Sequence, residues 1–130
     1  MDNREKPGVG SHPVNLGFRF ILELAALLAL ALWGSRQAEG VLSLVLALGV
    51  PALAATIWAV FRVPGDSSAS GKAPVPVPGI LRLALELGFF AFAAWAFTTT
   101  VGGSAALVFG GAVLVHYALS YDRLKWLVRA

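Results

Sequence analysis

The chain has 130 residues, of which 58% are hydrophobic and 13% are charged, and its formal net charge is +3. Soluble domains carry about 25% charged residues, so this composition is typical of an integral protein of the lipid bilayer. The sequence contains no cysteine, which excludes disulfides, thiolate metal sites and a cysteine nucleophile. The positive charge does not indicate a nucleic-acid partner, because the basic residues cluster beside apolar segments, as in membrane-flanking loops.

Four apolar stretches are long enough to cross the hydrocarbon core as helices, which takes roughly 17–25 residues. They are continuous runs rich in Ala and Leu, without the alternation that marks a membrane β-strand. The sequence therefore predicts an all-α membrane protein with four transmembrane helices, at residues 16–34, 41–61, 79–100 and 104–121. A cleaved signal peptide is rejected for the first stretch, because Glu23 interrupts it and its pattern recurs in the third stretch.

The basic residues predict how these helices are oriented. Nine of them lie near the chain termini or near the connection between the second and third stretches. Only Arg36 lies in a loop on the other side of the membrane. Because basic flanks stay in the cytoplasm, both termini and that connection are expected to be cytoplasmic, in the plasma (inner) membrane. Two helical hairpins then run in the same direction, as parallel repeats related by an approximate two-fold axis along the membrane normal.

The connection between the hairpins is rich in Gly, Ser and Pro, which favours a flexible linker. The C-terminal segment is basic and carries Trp126, as expected of an interfacial segment on an anionic membrane surface. The predicted division is an N-terminal cytoplasmic tail (1–15), a first transmembrane hairpin (16–62), a cytoplasmic linker (63–78), a second transmembrane hairpin (79–121) and a cytoplasmic C-terminal segment (122–130).

A hexapeptide with two charges recurs inside the apolar stretches. RFILEL at residues 19–24 opens the first stretch, and RLALEL at residues 82–87 opens the third. Each copy places an Arg four residues before a Glu, so both charges lie on one face of a helix. Ionisable groups inside apolar spans are unfavourable, and by default they mark a working site or an internal pairing.

The residues around these copies indicate a family. Asn15-Leu16, followed by Arg19-Phe20 and Leu22-Glu23-Leu24 and by the second Arg-x-x-x-Glu-Leu, resembles the YrdB-like family of small bacterial four-span membrane proteins. The resemblance covers the chain from Asn15 to Tyr121. It implies the same four-helix topology, and it implies no activity, because that family has no settled function.

Helix lengths predict that the charged residues converge at one depth. Glu23 and Glu86 each lie about two turns, or roughly 10 Å, into their helices. The fourth stretch brings a histidine and a tyrosine to the same level, near its cytoplasmic end. The predicted layer consists of Arg19, Glu23, Arg82, Glu86, His116 and Tyr117.

One interpretation of the predicted layer is structural. A buried carboxylate needs a partner, and pairing across the two-fold axis would join Arg19 to Glu86 and Arg82 to Glu23. Pairing within one helix is also open, although Arg before Glu is the weaker orientation. A structural accessory subunit of a larger membrane complex, or a homo-oligomer, would need no more than such a clasp.

The other interpretations are functional. The leading hypothesis is a protein that binds or transports a small amphiphilic or anionic molecule, with the predicted layer on its head group and the apolar helices around its tail. The alternative is an intramembrane enzyme that performs acid–base chemistry, an isomerisation or cyclisation, on a lipophilic substrate, with Glu23, Glu86 and His116 as catalytic candidates. No cofactor is expected, and no metal, since neither His-x-x-x-His nor Glu-x-x-His spacing accompanies His116.

Overall fold

The computed structural model describes residues 12–66 and 72–130. The predictions for the N-terminal tail and the flexible linker fall partly on residues 1–11 and 67–71, which lie outside the described residues. The all-α prediction is confirmed, with two strands of two residues each as the exception. The elements are α1 (Pro13–Ser35), α2 (Gly40–Val60), β1 (Phe61–Arg62), β2 (Val75–Pro76), α3 (Gly79–Thr100), α4 (Gly103–Leu119) and α5 (Tyr121–Arg129).

The lengths and compositions of the helices are compatible with a membrane protein. α1, α2 and α3 are each long and apolar enough to cross a membrane, whereas α4 and α5 pass that test only as a pair. The pair is bent by 72° at Ser120, whose N–H donates to the carbonyls of His116 and Tyr117 and so closes α4. The described residues therefore contain three candidate spans, or four if the bent pair is one.

The helices run alternately between two ends of the molecule. At the hairpin end, α1 turns into α2 and α3 turns into α4, and Arg36 Nη1 donates to the carbonyl of Thr99 at 3.1 Å. At the linker end, α1 and α3 begin, α2 and α4 end, and α5 lies against α3. α1 and α3 occupy the centre, because α1 contacts α2, α3 and α4 while α3 contacts α1, α4 and α5.

Small side chains bring α1 and α3 together. Ala26 and Ala29 of α1 and Ala93 and Ala96 of α3 are all fully buried, and Phe90 packs beside them. Small residues allow the backbones of membrane helices to approach closely. Arg19 lies seven residues, or about two turns, before Ala26, and Glu86 lies the same distance before Ala93. The alanine contact therefore places the two charged residues at matching heights on facing helix surfaces.

α5 and the described part of the linker close the linker end. A Cβ at Gly79, the first residue of α3, would collide with the carbonyl oxygen of Leu127, so glycine leaves the room in which α5 passes. β1 pairs in parallel with β2, which brings the linker back beside the end of α2. Asp66 is 6% exposed in this arrangement, and it faces α5.

Candidate functional site

The structure brings the residues of the predicted layer together at the linker end. His116 and Tyr117 contact the four charged residues of the layer, and these four belong with two further charged residues to a set of ion pairs, which we call the ion-pair network. It consists of Arg19, Glu23, Asp66, Arg82, Glu86 and Arg123. Its three guanidinium groups match its three carboxylates, so its formal charge sums to zero.

Glu86 is the centre of the ion-pair network and is fully buried. Its Oε2 accepts from Arg82 Nε at 2.9 Å and from Arg123 Nη2 at 2.6 Å. Its Oε1 accepts from Arg123 Nη1 at 2.9 Å and from the Tyr117 hydroxyl at 2.8 Å. Arg19 Nη2 lies 3.0 Å from the same oxygen as an ion pair, without hydrogen-bond alignment. These contacts occupy the acceptor capacity of the carboxylate, which is about four lone pairs.

Arg123 of α5 is a central residue that the sequence analysis did not assign to the layer. Besides its two hydrogen bonds to Glu86, it donates from Nε to Asp66 Oδ1 at 2.9 Å and from Nη2 to Asp66 Oδ2 at 2.6 Å. A signal for it was present, because Arg123 and Leu127 are four residues apart and so share the face of α5 that is buried. Nothing in the sequence around Asp66 indicates its role.

The pairing of the two hexapeptide copies is asymmetric. The cross-helix pair of Arg19 with Glu86 is present, and so are both pairs within a helix, at 3.1 Å for Arg19 with Glu23 and 2.9 Å for Arg82 with Glu86. The expected pair of Arg82 with Glu23 does not form among the described residues. Arg82 Nη1 instead donates to the carbonyls of Trp58, in the last turn of α2, and Phe61, directly after it, at 2.6 and 2.7 Å, because carbonyls at a helix end lack partners within the helix.

His116 is held in one orientation by neighbours on both sides of its ring. Its Nε2 lies 3.3 Å from Arg19 Nη1, and its Nδ1 lies 3.2 Å from Asn15 Oδ1. A guanidinium can only donate, so Nε2 accepts and the ring proton is on Nδ1, where it is donated to Asn15. Asn15 Nδ2 in turn donates to Ser120 Oγ at 2.8 Å. No group of three or more His, Asp or Glu side chains in residues 12–66 and 72–130 could hold a metal ion.

Trp58 of α2 connects the ion-pair network to an apolar groove. The guanidinium carbons of Arg82 and Arg19 lie 4.5 and 5.2 Å from the centre of its ring, within the range of cation–π attraction. The α2–α3 groove has a volume of about 260 Å³ and lies where α2 and α3 contact each other little. Its lining residues are Leu30, Val50, Leu53, Ala54, Ile57, Trp58, Leu85, Phe89 and Phe92.

Glu23 differs from the rest of the ion-pair network in its exposure. Its side chain is 22% exposed, whereas the side chains of the other five members of the network are at most 3% exposed. It stands seven residues before Leu30, on the face of α1 that forms part of the groove lining. Glu23 does not line the groove, but it pairs with Arg19, whose guanidinium contacts Trp58, so the most accessible charge of the ion-pair network on this side is a carboxylate.

Two further apolar cavities lie on other faces, between α1 and α4 and between α3 and α4, with volumes of about 470 and 600 Å³. Like the α2–α3 groove, neither of them is lined by a charged residue. The α2–α3 groove is thus distinguished from these two by its contact with Trp58 and, through Trp58, with the ion-pair network.

Comparisons with known proteins confirm the resemblance stated above. Residues 17–115 match the family described as "Protein of unknown function (DUF2568)". The uncharacterized protein YrdB of Bacillus subtilis (strain 168) is 38% identical over 114 residues, which cover 88% of this chain and 93% of that protein. No solved structure matches the chain.

Proposed function

We propose, for a chain that belongs to the DUF2568 family of proteins of unknown function, that it is a membrane protein that binds or transports a small amphiphilic molecule. The apolar tail of this ligand lies in the α2–α3 groove, and its head group lies at the ion-pair network. The proposal includes four membrane crossings arranged as two parallel hairpins, with the termini and the linker in the cytoplasm, as the basic residues predict.

The observation that carries the proposal is the position of Trp58. One indole both lines the α2–α3 groove and stacks against the guanidinium groups of Arg19 and Arg82. An amphiphile needs an apolar surface that ends at polar or charged groups, and Trp58 is the point at which the two meet. Ligand sites have the same composition, mostly apolar with a few polar groups that fix orientation.

The size of the groove limits the ligand. Small-molecule pockets typically measure about 300–1,000 Å³, so a groove of about 260 Å³ suits a molecule with a single short chain. Its lining includes three aromatic rings, of which Trp58 and Phe89 have centroids 4.8 Å apart. Trp58 and Phe89, whose ring planes are tilted by 50°, already hold one another in place and lose little freedom when a ligand binds, which favours affinity for a small molecule.

The geometry supports binding better than acid–base catalysis. The acceptor positions of Glu86 are occupied by the donors around it, and both ring nitrogens of His116 have protein partners. A general acid or base must reach the substrate proton within hydrogen-bond distance. Neither Glu86 nor His116 offers such an atom in the observed arrangement. Glu23, the third catalytic candidate, is accessible, but its one contact among the described residues is with Arg19, so no second acid–base group stands beside it and a binding role fits it better.

A matched pair of variants tests the proposal. Ala54 lines the α2–α3 groove, whereas Ala52 is exposed on a different face of α2. Ala54→Trp fills the groove, and Ala52→Trp adds the same bulk outside it. Mass spectrometry of protein purified in mild detergent should detect an amphiphile bound to the wild type and to Ala52→Trp, at a level at least tenfold lower for Ala54→Trp. Equal amounts on all three proteins, or none on any, would contradict the proposal.

A further inference from the structure

We infer that the head group recognised beside the α2–α3 groove is a primary ammonium, bound by Glu23. This inference rests on the proposed function and specifies its ligand as a primary amine with a single apolar chain. A cationic head group differs from the anionic one that Arg19 and Arg82 in the predicted layer would favour. The reason lies in which charges of the ion-pair network a ligand can reach.

Access favours the carboxylate. The side chains of Arg19 and Arg82 are 3% and 2% exposed, so an anion would have to open the network to contact either guanidinium. Each of these guanidinium groups already contacts Glu86. Glu23, with 22% of its side chain exposed, can be reached without any rearrangement of the buried pairs.

Hydrogen bonding also favours a donor. Glu23 Oε1 accepts from Arg19 Nε at 3.1 Å, and Oε2 has no hydrogen-bond partner among residues 12–66 and 72–130. An ionised carboxylate only accepts, with about four lone-pair sites, so its unmet capacity calls for an N–H or O–H group. An ammonium also carries a charge opposite to that of the carboxylate, and the resulting Coulomb attraction, which a neutral hydroxyl lacks, favours the ammonium.

Two further features make a cation acceptable at this position. Arg19 would repel a second cation, but its own charge is shared between Glu23 and Glu86, at 3.1 and 3.0 Å. Trp58, the groove-lining residue that meets the network, already has the guanidinium groups of Arg19 and Arg82 at 5.2 and 4.5 Å from its ring centre, so this end of the groove accommodates cations. Charge and lining therefore select the same class of head group.

Four probes with one chain length test the inference on the full-length protein in nanodiscs of neutral lipid at pH 7. Decylamine, decyltrimethylammonium, decanoate and decanol present a cationic donor, a cation without N–H, an anion and a neutral donor. We expect decylamine to bind at least tenfold more tightly than each of the other three. Glu23→Gln should reduce the affinity for decylamine at least tenfold and leave decanol unchanged, whereas Glu39→Gln, in the loop at the hairpin end, should change neither.

The outcomes separate this inference from the proposed function. Tighter binding of decanoate, or an equal preference for decylamine in Glu23→Gln, would overturn the ammonium assignment and leave groove binding in place. Failure of all four probes to bind would overturn both. Glu23→Asp retains the carboxylate and should retain the preference for the amine. If Glu23→Gln does not fold, the ranking of the four probes on the wild type still decides the question.

Discussion

Glu23 and Glu86 occupy the same position in two copies of one hexapeptide, yet their environments differ. Glu86 is fully buried and contacts three guanidinium groups and one hydroxyl, whereas Glu23 is partly exposed and contacts Arg19 alone. The difference comes from residues outside the repeated motif. Arg123 and Tyr117 both belong to the C-terminal part of the chain, and both bind the second copy. A repeated motif therefore shows where charges lie, and its neighbours decide which copy is structural and which is accessible.

The largest expected effect comes from removing the charge of Glu86. Glu86→Gln leaves Arg82 and Arg123 buried with one carboxylate fewer, and breaking a buried ion pair typically costs about 3–5 kcal/mol. We expect a loss of this size in the free energy of unfolding, measured in mixed detergent micelles. A loss of stability below about 1 kcal/mol would mean that Glu86 contributes no more than Glu23, and that the two hexapeptide copies do not differ in their structural role.

The next effect concerns the residues that make the second copy different. Arg123→Met removes the link from α5 to Asp66 and Glu86, and hydrogen bonds to charged groups contribute about 1.5–3 kcal/mol each. Glu86 keeps Arg82, Arg19 and Tyr117, but the buried Asp66 loses a guanidinium, so we expect a loss of about 3 kcal/mol in the same micelles, at the lower end of the range for Glu86→Gln.

A double-mutant cycle shows how much of this loss comes from the ion pair between Arg123 and Asp66 of the linker. Asp66→Asn combined with Arg123→Met should cost less than the sum of the single changes, with a coupling of about 0.5–3 kcal/mol. Strictly additive losses would mean that Asp66 and Arg123 do not stabilise one another.

The first three helices and the rough position of the charged layer could be predicted, because hydropathy and helical spacing depend on local sequence alone. α1 to α3 lie within three residues of the predicted limits, and all six residues of the predicted layer lie at the linker end. The pairing of Arg82 with the carbonyls of Trp58 and Phe61, in place of Glu23, could not be predicted, because it depends on how the chain leaves α2. Asp66 stands in a linker without periodicity, so only the folded chain shows its contact with Arg123.

A smaller effect tests why α5 can lie beside the second copy. Gly79 precedes Arg82 by three residues, and the corresponding position before Arg19 is Leu16. Gly79→Ala places a methyl group against the backbone of Leu127 and should cost about 1–3 kcal/mol, as overpacking does. Gly88→Ala is the control within the same helix, because nothing lies within 4 Å of its added Cβ, and it should be neutral or stabilising by up to about 1 kcal/mol. Equal losses for both would show that α5 does not pack on Gly79.

The smallest expected effect on stability is that of Glu23→Gln. The side chain is partly exposed and has one partner, and ion pairs of that kind contribute about 0.2–1 kcal/mol. Arg19, which loses this partner, keeps its contacts with Glu86 and His116, so no guanidinium is left buried and unpaired. We therefore expect a change in the free energy of unfolding of at most about 1 kcal/mol, measured beside Glu86→Gln in the same micelles. If the two glutamate variants lose equal stability, Glu23 belongs to the structural core of the network and is not free to bind a ligand.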